Sequence, residues 1–222
     1  MILVPVKDLT KAKQRLASML EQPARTQLAR TMLQDVLEAL SEFGGDEVSL
    51  VTSDLFAMEL ANSYAFGIIR DDSNQSETAA IALATRVCED RGVQSTLVIP
   101  ADIPLIAAPE LKAIYEKAPQ IGSVLVPAHD GRGTNAILQR PAALFPLHFG
   151  NDSFLPHLAA AKATDQRCIV LSLSGIGLDI DTPEDLRALA LAAGDKRSQA
   201  LARRLLKTTA GFAKDEVATV KS

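Results

Sequence analysis

Ile2-Leu3-Val4-Pro5-Val6-Lys7-Asp8 is an apolar run closed by a charged pair. Its length suits a buried strand and is too short for a signal-peptide core or a membrane span. Further runs of the same form lie at Glu47–Thr52, Gly67–Arg70, Thr96–Pro100, Ser123–Pro127, Ala136–Gln139 and Cys168–Leu173. Helical patterns separate them, which is the alternation of a mostly parallel sheet covered by helices on both faces. A doubly wound α/β fold is therefore expected. The clearest helix starts near Pro23, carries Leu28, Met32, Leu33, Val36, Leu37 and Leu40 on one stripe, and stops at Gly44-Gly45. Ser76 reads as the N-cap of a second helix running to Gly92, and Pro109 opens a third to Lys117. No repeat or linker interrupts the chain before Gly194. Residues 1–193 are expected to form one domain, followed by a dispensable end made of a basic helix over Asp195–Lys207 and a loosely held tail over Thr208–Ser222.

The 222 residues are 47% hydrophobic and 23% charged, with a net charge of −4, so one large core can be buried. Without a basic face, nucleic acid is excluded as a partner, and no stretch suits a membrane. The chain is expected to be cytoplasmic, and a homodimer is compatible with its composition. The local cluster of Lys7, Lys11, Lys13 and Arg15 points to a small anion. Cys88 and Cys168 lie in apolar contexts without a CxxC and read as buried free thiols. His129, His148 and His157 show neither HExxH nor HxH spacing, and there is no GxSxG, so zinc and serine hydrolase readings fit poorly.

In open α/β sheets, ligands bind beyond the carboxyl ends of the strands. The segment from Lys7 to Arg15, where Thr10 is positioned to cap a helix, is either a phosphate site or a solvated basic helix end. It contains neither GxGxxG nor GxxxxGK[ST]. In Val98-Ile99-Pro100-Ala101-Asp102-Ile103-Pro104 a lone carboxylate stands between stiffening prolines. It is either a ligand for a hard cation or an acid making its own turn. In Asp179-Ile180-Asp181-Thr182-Pro183-Glu184-Asp185, Thr182, Pro183 and Asp185 are explained as N-cap, first helical residue and capping-box acid. Asp179 and Asp181 are not needed for that cap, and with Asp102 they suit magnesium. Two glycine-bearing loops, Gly131-Arg132-Gly133-Thr134-Asn135 and Phe149-Gly150-Asn151-Asp152-Ser153, offer N–H groups and hydroxyls to a phosphate or carboxylate. Chemistry that needs only metal, cation and positioning remains, and phosphoryl or nucleotidyl transfer is of that kind.

Together Val4-Pro5-Val6-Lys7, Lys13-Gln14-Arg15-Leu16, Pro100–Pro104, Gly131–Ala136, Phe149–Ser153 and Asp179–Leu186 resemble the 2-phospho-L-lactate guanylyltransferases, the CofC family, over residues 1–190. The resemblance implies a single-domain, Rossmann-like nucleotidyltransferase fold. The implied reaction joins GMP from GTP to a small phosphorylated acid, releasing pyrophosphate, in biosynthesis of the deazaflavin coenzyme F-420. The acceptor would be 2-phospho-L-lactate, phosphoenolpyruvate or 3-phosphoglycerate. By the same resemblance, Pro5, Lys7 and Lys13 face GTP, and Asp102 and Asp181 hold Mg2+ with Asp179 nearby. Lys7, Lys13 and Asp102 form the implied catalytic set, and Thr134, Gly150 and Ser153 bind the acceptor.

Members of the family often carry Gly-Leu-Asn where this chain has Ser76-Glu77-Thr78. Glu77 and Thr78 are placed at the nucleotide, with Glu77 either reading guanine or capping the helix. No general base is expected, because a phosphate monoester with its second pKa near 6 is already a dianion at neutral pH. A nucleotidyltransferase for a molybdopterin or sugar phosphate and a non-catalytic nucleotide-binding regulator are the alternatives.

Overall fold

The computed structural model describes residues 1–73, 75–150 and 152–219, with side chains as far as residue 208. Each apolar run forms a strand: β1 Ile2–Pro5, β2 Val48–Val51, β3 Gly67–Ile69, β4 Thr96–Val98, β5 Gly122–Pro127, β6 Thr134–Arg140 and β7 Arg167–Val170. They make one seven-stranded sheet in the order β3-β2-β1-β4-β6-β5-β7. β1 pairs parallel with β2 and β4, as β2 does with β3 and β5 with β7, while β6 runs antiparallel to both β4 and β5. That reversal matters for function. It brings the start of β6, Thr134 and Asn135, to the same sheet edge as the ends of β1 and β4.

The helices are α1 Gln22–Phe43, α2 Leu55–Ser63, α3 Glu77–Asp90, α4 Ala108–Lys117, α5 Phe154–Lys162, α6 Pro183–Leu191 and α7 Arg197–Thr219. Alternate residues along each strand feed opposite faces of the sheet. Ile2, Val4, Leu50, Leu97 and Leu138 pack with α1, α2 and α4, whereas Leu3, Val51, Val98 and Ile137 pack with α3 and α5. Helices on both faces are thus a direct result of the strand pattern. Full burial of each Leu or Ile contributes about 1.5–3 kcal/mol. Cys88 is buried as expected, but Cys168 is only half-buried.

A third cluster joins Leu28 and Met32 of α1 to Leu186 and Leu189 of α6 and to Leu201 and Ala202 of α7. The Ser198 N–H donates to buried Asp35 at 2.8 Å. The break at Gly194 is therefore an exposed turn between two helices that pack in one cluster, and the first turns of α7 belong to the core. The tail expected from Thr208 continues the helix to Thr219, and residues 220–222 lie outside the described residues. Among the described residues no helix is long and apolar enough to cross a membrane.

The segment after β1 is not the expected helix. It forms two single 3-10 turns, Leu9–Lys11 and Gln14–Leu16, and the first is capped by Asp8, whose carboxylate accepts from Thr10 N at 2.9 Å. Thr10 is therefore not the cap. Between the turns, Lys13 takes a left-handed backbone at φ 56 and ψ 45, which ends any helical path. For a residue with a Cβ this conformation costs about 1–2 kcal/mol.

Candidate active site

The strained turn at Lys13 carries its side chain inward. Nζ donates to Asp102 Oδ2 at 2.6 Å and to Asp181 Oδ1 at 2.9 Å, with 7% of the side chain exposed. Burial would push the ammonium's pKa down, but the two carboxylates outweigh it and hold the value above the ordinary lysine range. For Asp181, burial pushes upward, and Lys13 followed by Arg15 overcomes it, leaving the acid below its usual range. Arg15 Nη1 stands 3.3 Å from Asp181 Oδ2. Asp185 accepts from the Asp181 and Thr182 N–H groups at 3.1 and 2.7 Å, so the cap of α6 also fixes Asp181. Asp179 accepts from Asn135 Nδ2 at 3.0 Å, and its pKa is raised, chiefly by burial.

Lys7 also turns inward. Its Nζ is buried and makes no hydrogen bond among the described residues, the Asp71 carboxylate being 3.8 Å away. Asp71 is held in turn by Ser73 Oγ at 2.6 Å. Lys11, in contrast, has 82% of its side chain in solvent and pairs with Asp8. Lys7 and Lys13 line a cleft of about 490 Å³ together with Pro5, Asp8, Glu77 and Asp102. A second cleft, of about 350 Å³, is lined by Asp102, Asp179, Asp181, Thr134, Gly150 and Ser153. The two share Glu77, Pro100 and Asp102. Every site residue read from the sequence except Thr78 therefore lines one of two adjoining clefts.

Glu77 occupies the seam, where burial and then Asp102 push its carboxyl pKa up to about 7 against the pull of Lys13 and Lys7. Its surroundings are thus the charge cluster of the junction. Capping of α3 falls to Ser76, which accepts from Ala79 N at 3.0 Å. The Thr78 hydroxyl accepts from Phe149 N at 2.9 Å and donates to Phe149 O at 3.1 Å, so it ties α3 to the Gly150 loop.

In the second cleft Thr134 and Ser153 are buried, and the Thr134 N–H donates to Ser153 Oγ at 3.1 Å. Arg132 Nε and Nη2 grip the Asp152 carboxylate at 2.5 and 3.1 Å, and Phe154 N donates to Arg132 O at 2.9 Å. These contacts clasp the two glycine loops together, though the ion pair is fully exposed and therefore weak. Asn151 lies outside the described residues. Gly150 has φ +142, which L side chains rarely adopt, and a Cβ there meets nothing within 4 Å. Gly150→Ala is expected to lower stability by about 1–3 kcal/mol through strain. A thermal melt checks this, and an unchanged melting temperature would show that the loop absorbs the strain.

Asp71 and Asn135 contact Lys7 and Asp179 although neither was expected at the site, and Arg15, expected only as part of a basic cluster, pairs with Asp181. Asp71 obeys the strand-end rule after β3, and Asn135 sits inside the quoted glycine loop, so both carried a usable signal. The Asn135–Asp179 contact spans 44 residues and left no local trace.

The family model for guanylyl transferases of the CofC type matches residues 1–216. The chain belongs to that family. A phosphoenolpyruvate guanylyltransferase from Roseiflexus castenholzii is 36% identical over 92% of this chain and 94% of its own length. A 3-phospho-D-glycerate guanylyltransferase from Colwellia psychrerythraea is 34% identical over 86% of this chain and 90% of its own. A 2-phospho-L-lactate guanylyltransferase from Methanobrevibacter smithii is 28% identical over 83% and 80%. Among solved structures, a chain from Desulfovibrio desulfuricans G20, provisionally described as a nucleotide-diphospho-sugar transferase, superposes with a TM-score of 0.75. It shares 19% identity over 94% of this chain and 96% of its own. A nucleotidyl transferase from Methanothermobacter thermautotrophicus gives 0.55 at 16% identity over 93% and 97%. These confirm the nucleotidyltransferase fold, and the sequence relatives make this family member an enzyme of that class.

Proposed function

We propose that the protein transfers GMP from GTP to a three-carbon phospho-acid, with release of pyrophosphate, as a step in deazaflavin coenzyme F-420 biosynthesis. The observation that carries this reading is the sharing of Asp102 by two adjoining clefts with different donor sets. One presents the lysines suited to a triphosphate, and the other presents hydroxyls and a glycine backbone suited to a small anion. A transfer reaction needs its two substrates to meet end to end, and positioning of this kind supplies several kcal/mol of the barrier reduction.

In the proposed reaction an oxygen of the acceptor phosphate forms a bond to the α-phosphorus of GTP while the bond from that phosphorus to the bridging oxygen of pyrophosphate breaks. The attacking oxygen carries no proton, so no base is required. Lys7, whose Nζ makes no hydrogen bond and stands 3.8 Å from the Asp71 carboxylate, can offer its charge to the triphosphate, and Lys13 stands at the junction where charge builds up.

Mg2+ fits this donor set. Asp102 and Asp181 already converge on a cation, the Lys13 ammonium, and Asp179 lines the same cleft. Among the described residues no group of three or more acidic, histidine or cysteine side chains is placed to hold a metal ion by itself. Magnesium keeps waters and takes substrate phosphates, so one or two carboxylates suffice. Asp102 and Asp181 would hold it, with Asp179 beside them. Bound there, it would neutralise charge on the phosphate oxygens.

The second cleft is lined mainly by polar groups and offers no broad apolar wall for a pterin. Incubation of the purified protein with GTP, Mg2+ and each of phosphoenolpyruvate, 2-phospho-L-lactate and 3-phosphoglycerate is expected to release pyrophosphate with at least one acid. Release with a sugar phosphate and none of the three acids would overturn the acceptor class and leave the fold untouched.

A further inference from the structure

His157 is 1% exposed, lies in the first turns of α5, and has both ring nitrogens engaged. The His148 backbone N–H points at Nε2 from 2.9 Å. A main-chain N–H can only donate, so Nε2 bears no proton, and the neutral ring carries its hydrogen on Nδ1. Nδ1 lies 3.0 Å from Thr134 Oγ1 and therefore donates to it. The same oxygen accepts from Ser153 Oγ at 3.4 Å, while Ser153 Oγ accepts from Thr134 N. Both lone pairs of the Thr134 hydroxyl are thus used inside the protein. Its own hydrogen is left for the cleft that Thr134 lines. The Phe149 ring meets the imidazole edge-on at 5.1 Å and holds its plane. Burial, with a smaller push from His148, lowers the ring's pKa to about 4, which keeps it neutral across the working range.

We infer that His157 is a positioning residue for the acceptor, locking the Thr134 hydroxyl as a donor so that the cleft selects an ionised phosphate or carboxylate oxygen. A hydroxyl free to rotate would accept as readily as donate and would admit a protonated or neutral group. The inference rests on the reading of this cleft as the acceptor site. It gives a buried histidine without any motif spacing a role in choosing the substrate.

Two replacements test it. His157→Phe keeps the ring's bulk and removes both hydrogen bonds, whereas His157→Gln retains one donor and one acceptor. For whichever acid the unaltered protein turns over, His157→Phe is expected to raise the acceptor KM about 10- to 100-fold, the loss of a hydrogen bond to a charged group. The KM for GTP should stay unchanged, and His157→Gln should recover most of the loss. In a Thr134→Val background, His157→Phe should add nothing further. Effects that multiply in the double variant, or a parallel rise in the GTP KM, would mark general loosening and overturn the inference.

Long-range proton–nitrogen correlation spectra of histidine-labelled protein read the tautomer without turnover. Nδ1–H is expected throughout about pH 6 to 8, and an Nε2–H ring would overturn the inference whatever the acceptor. Titration with inorganic phosphate separates this inference from the function proposed above. If phosphate affinity falls in His157→Phe although no acid is turned over, the role of His157 stands and the acceptor class does not. Affinity equal to that of the unaltered protein removes the role of His157.

Discussion

Lys13→Ala is expected to reduce nucleotidyl transfer by about three orders of magnitude and to destabilise the fold at the same time. This side chain is the donor common to Asp102 and Asp181, at 2.6 and 2.9 Å. Without it two carboxylates face one another with no ammonium between them. Loss of one partner of a fully buried ion pair costs about 3–5 kcal/mol. Here Asp102 and Asp181 retain 30% and 37% side-chain exposure, so water screens part of the repulsion, and about 1–3 kcal/mol is the better expectation. Lys7→Ala should behave differently. Its ammonium makes no hydrogen bond and pairs only loosely with Asp71 at 3.8 Å, so its removal should lower the melting temperature less than Lys13→Ala does while raising the KM for GTP. Lys11→Ala, at an exposed position, should change neither. Melting curves and pyrophosphate release on the three variants check this. A Lys13→Ala protein that melts early yet turns over at the normal rate would reduce Lys13 to a structural ion pair.

The contrast among these lysines shows how far the sequence could be read. All seven strands were legible because each is an apolar run bounded by charge or turn residues, and their edge is where the polar clusters gather. Lys11 faces solvent while Lys7 and Lys13 turn inward, and the helix expected over this segment, which is absent, would not have separated them. The left-handed backbone at Lys13 decides its direction, and nothing in Lys-Ala-Lys-Gln announces that conformation. The Gly131–Asn135 loop was legible as an anion cradle, but its meeting with Asp102 depends on the reversal of β6, which is set by pairing with β4 and β5. The short helices α2 and α5 passed unnoticed. In α5 the turn chemistry of Gly150 to Ser153 and the proline at Pro156 hid a helix whose first turn tolerates that proline. His157 was out of reach for the same reason, since its partners Thr134 and His148 come from other segments and form no motif.

Asp102→Asn and Asp181→Asn are each expected to abolish detectable transfer while leaving the melting temperature close to that of the unaltered protein. Each carboxylate lies in a loop at the sheet edge and contributes little to the apolar core, so its loss acts on charge more than on packing. An amide keeps the shape of the side chain and offers an oxygen to Lys13, but it removes the negative charge needed to hold a divalent cation. Asp179→Asn should be milder, because Asp179 already shares its oxygen with Asn135 and stands beside the converging pair. Titration with Mg2+ separates two roles that activity alone would merge. If Asp102 and Asp181 hold the metal, each amide variant should need far more Mg2+ for any residual turnover, and thermal stabilisation by Mg2+ with GTP should disappear. If they only balance Lys13, the Mg2+ requirement should stay constant while turnover falls. A constant requirement would remove both carboxylates from the metal shell, because a lost charged ligand cannot leave the metal's affinity unaltered.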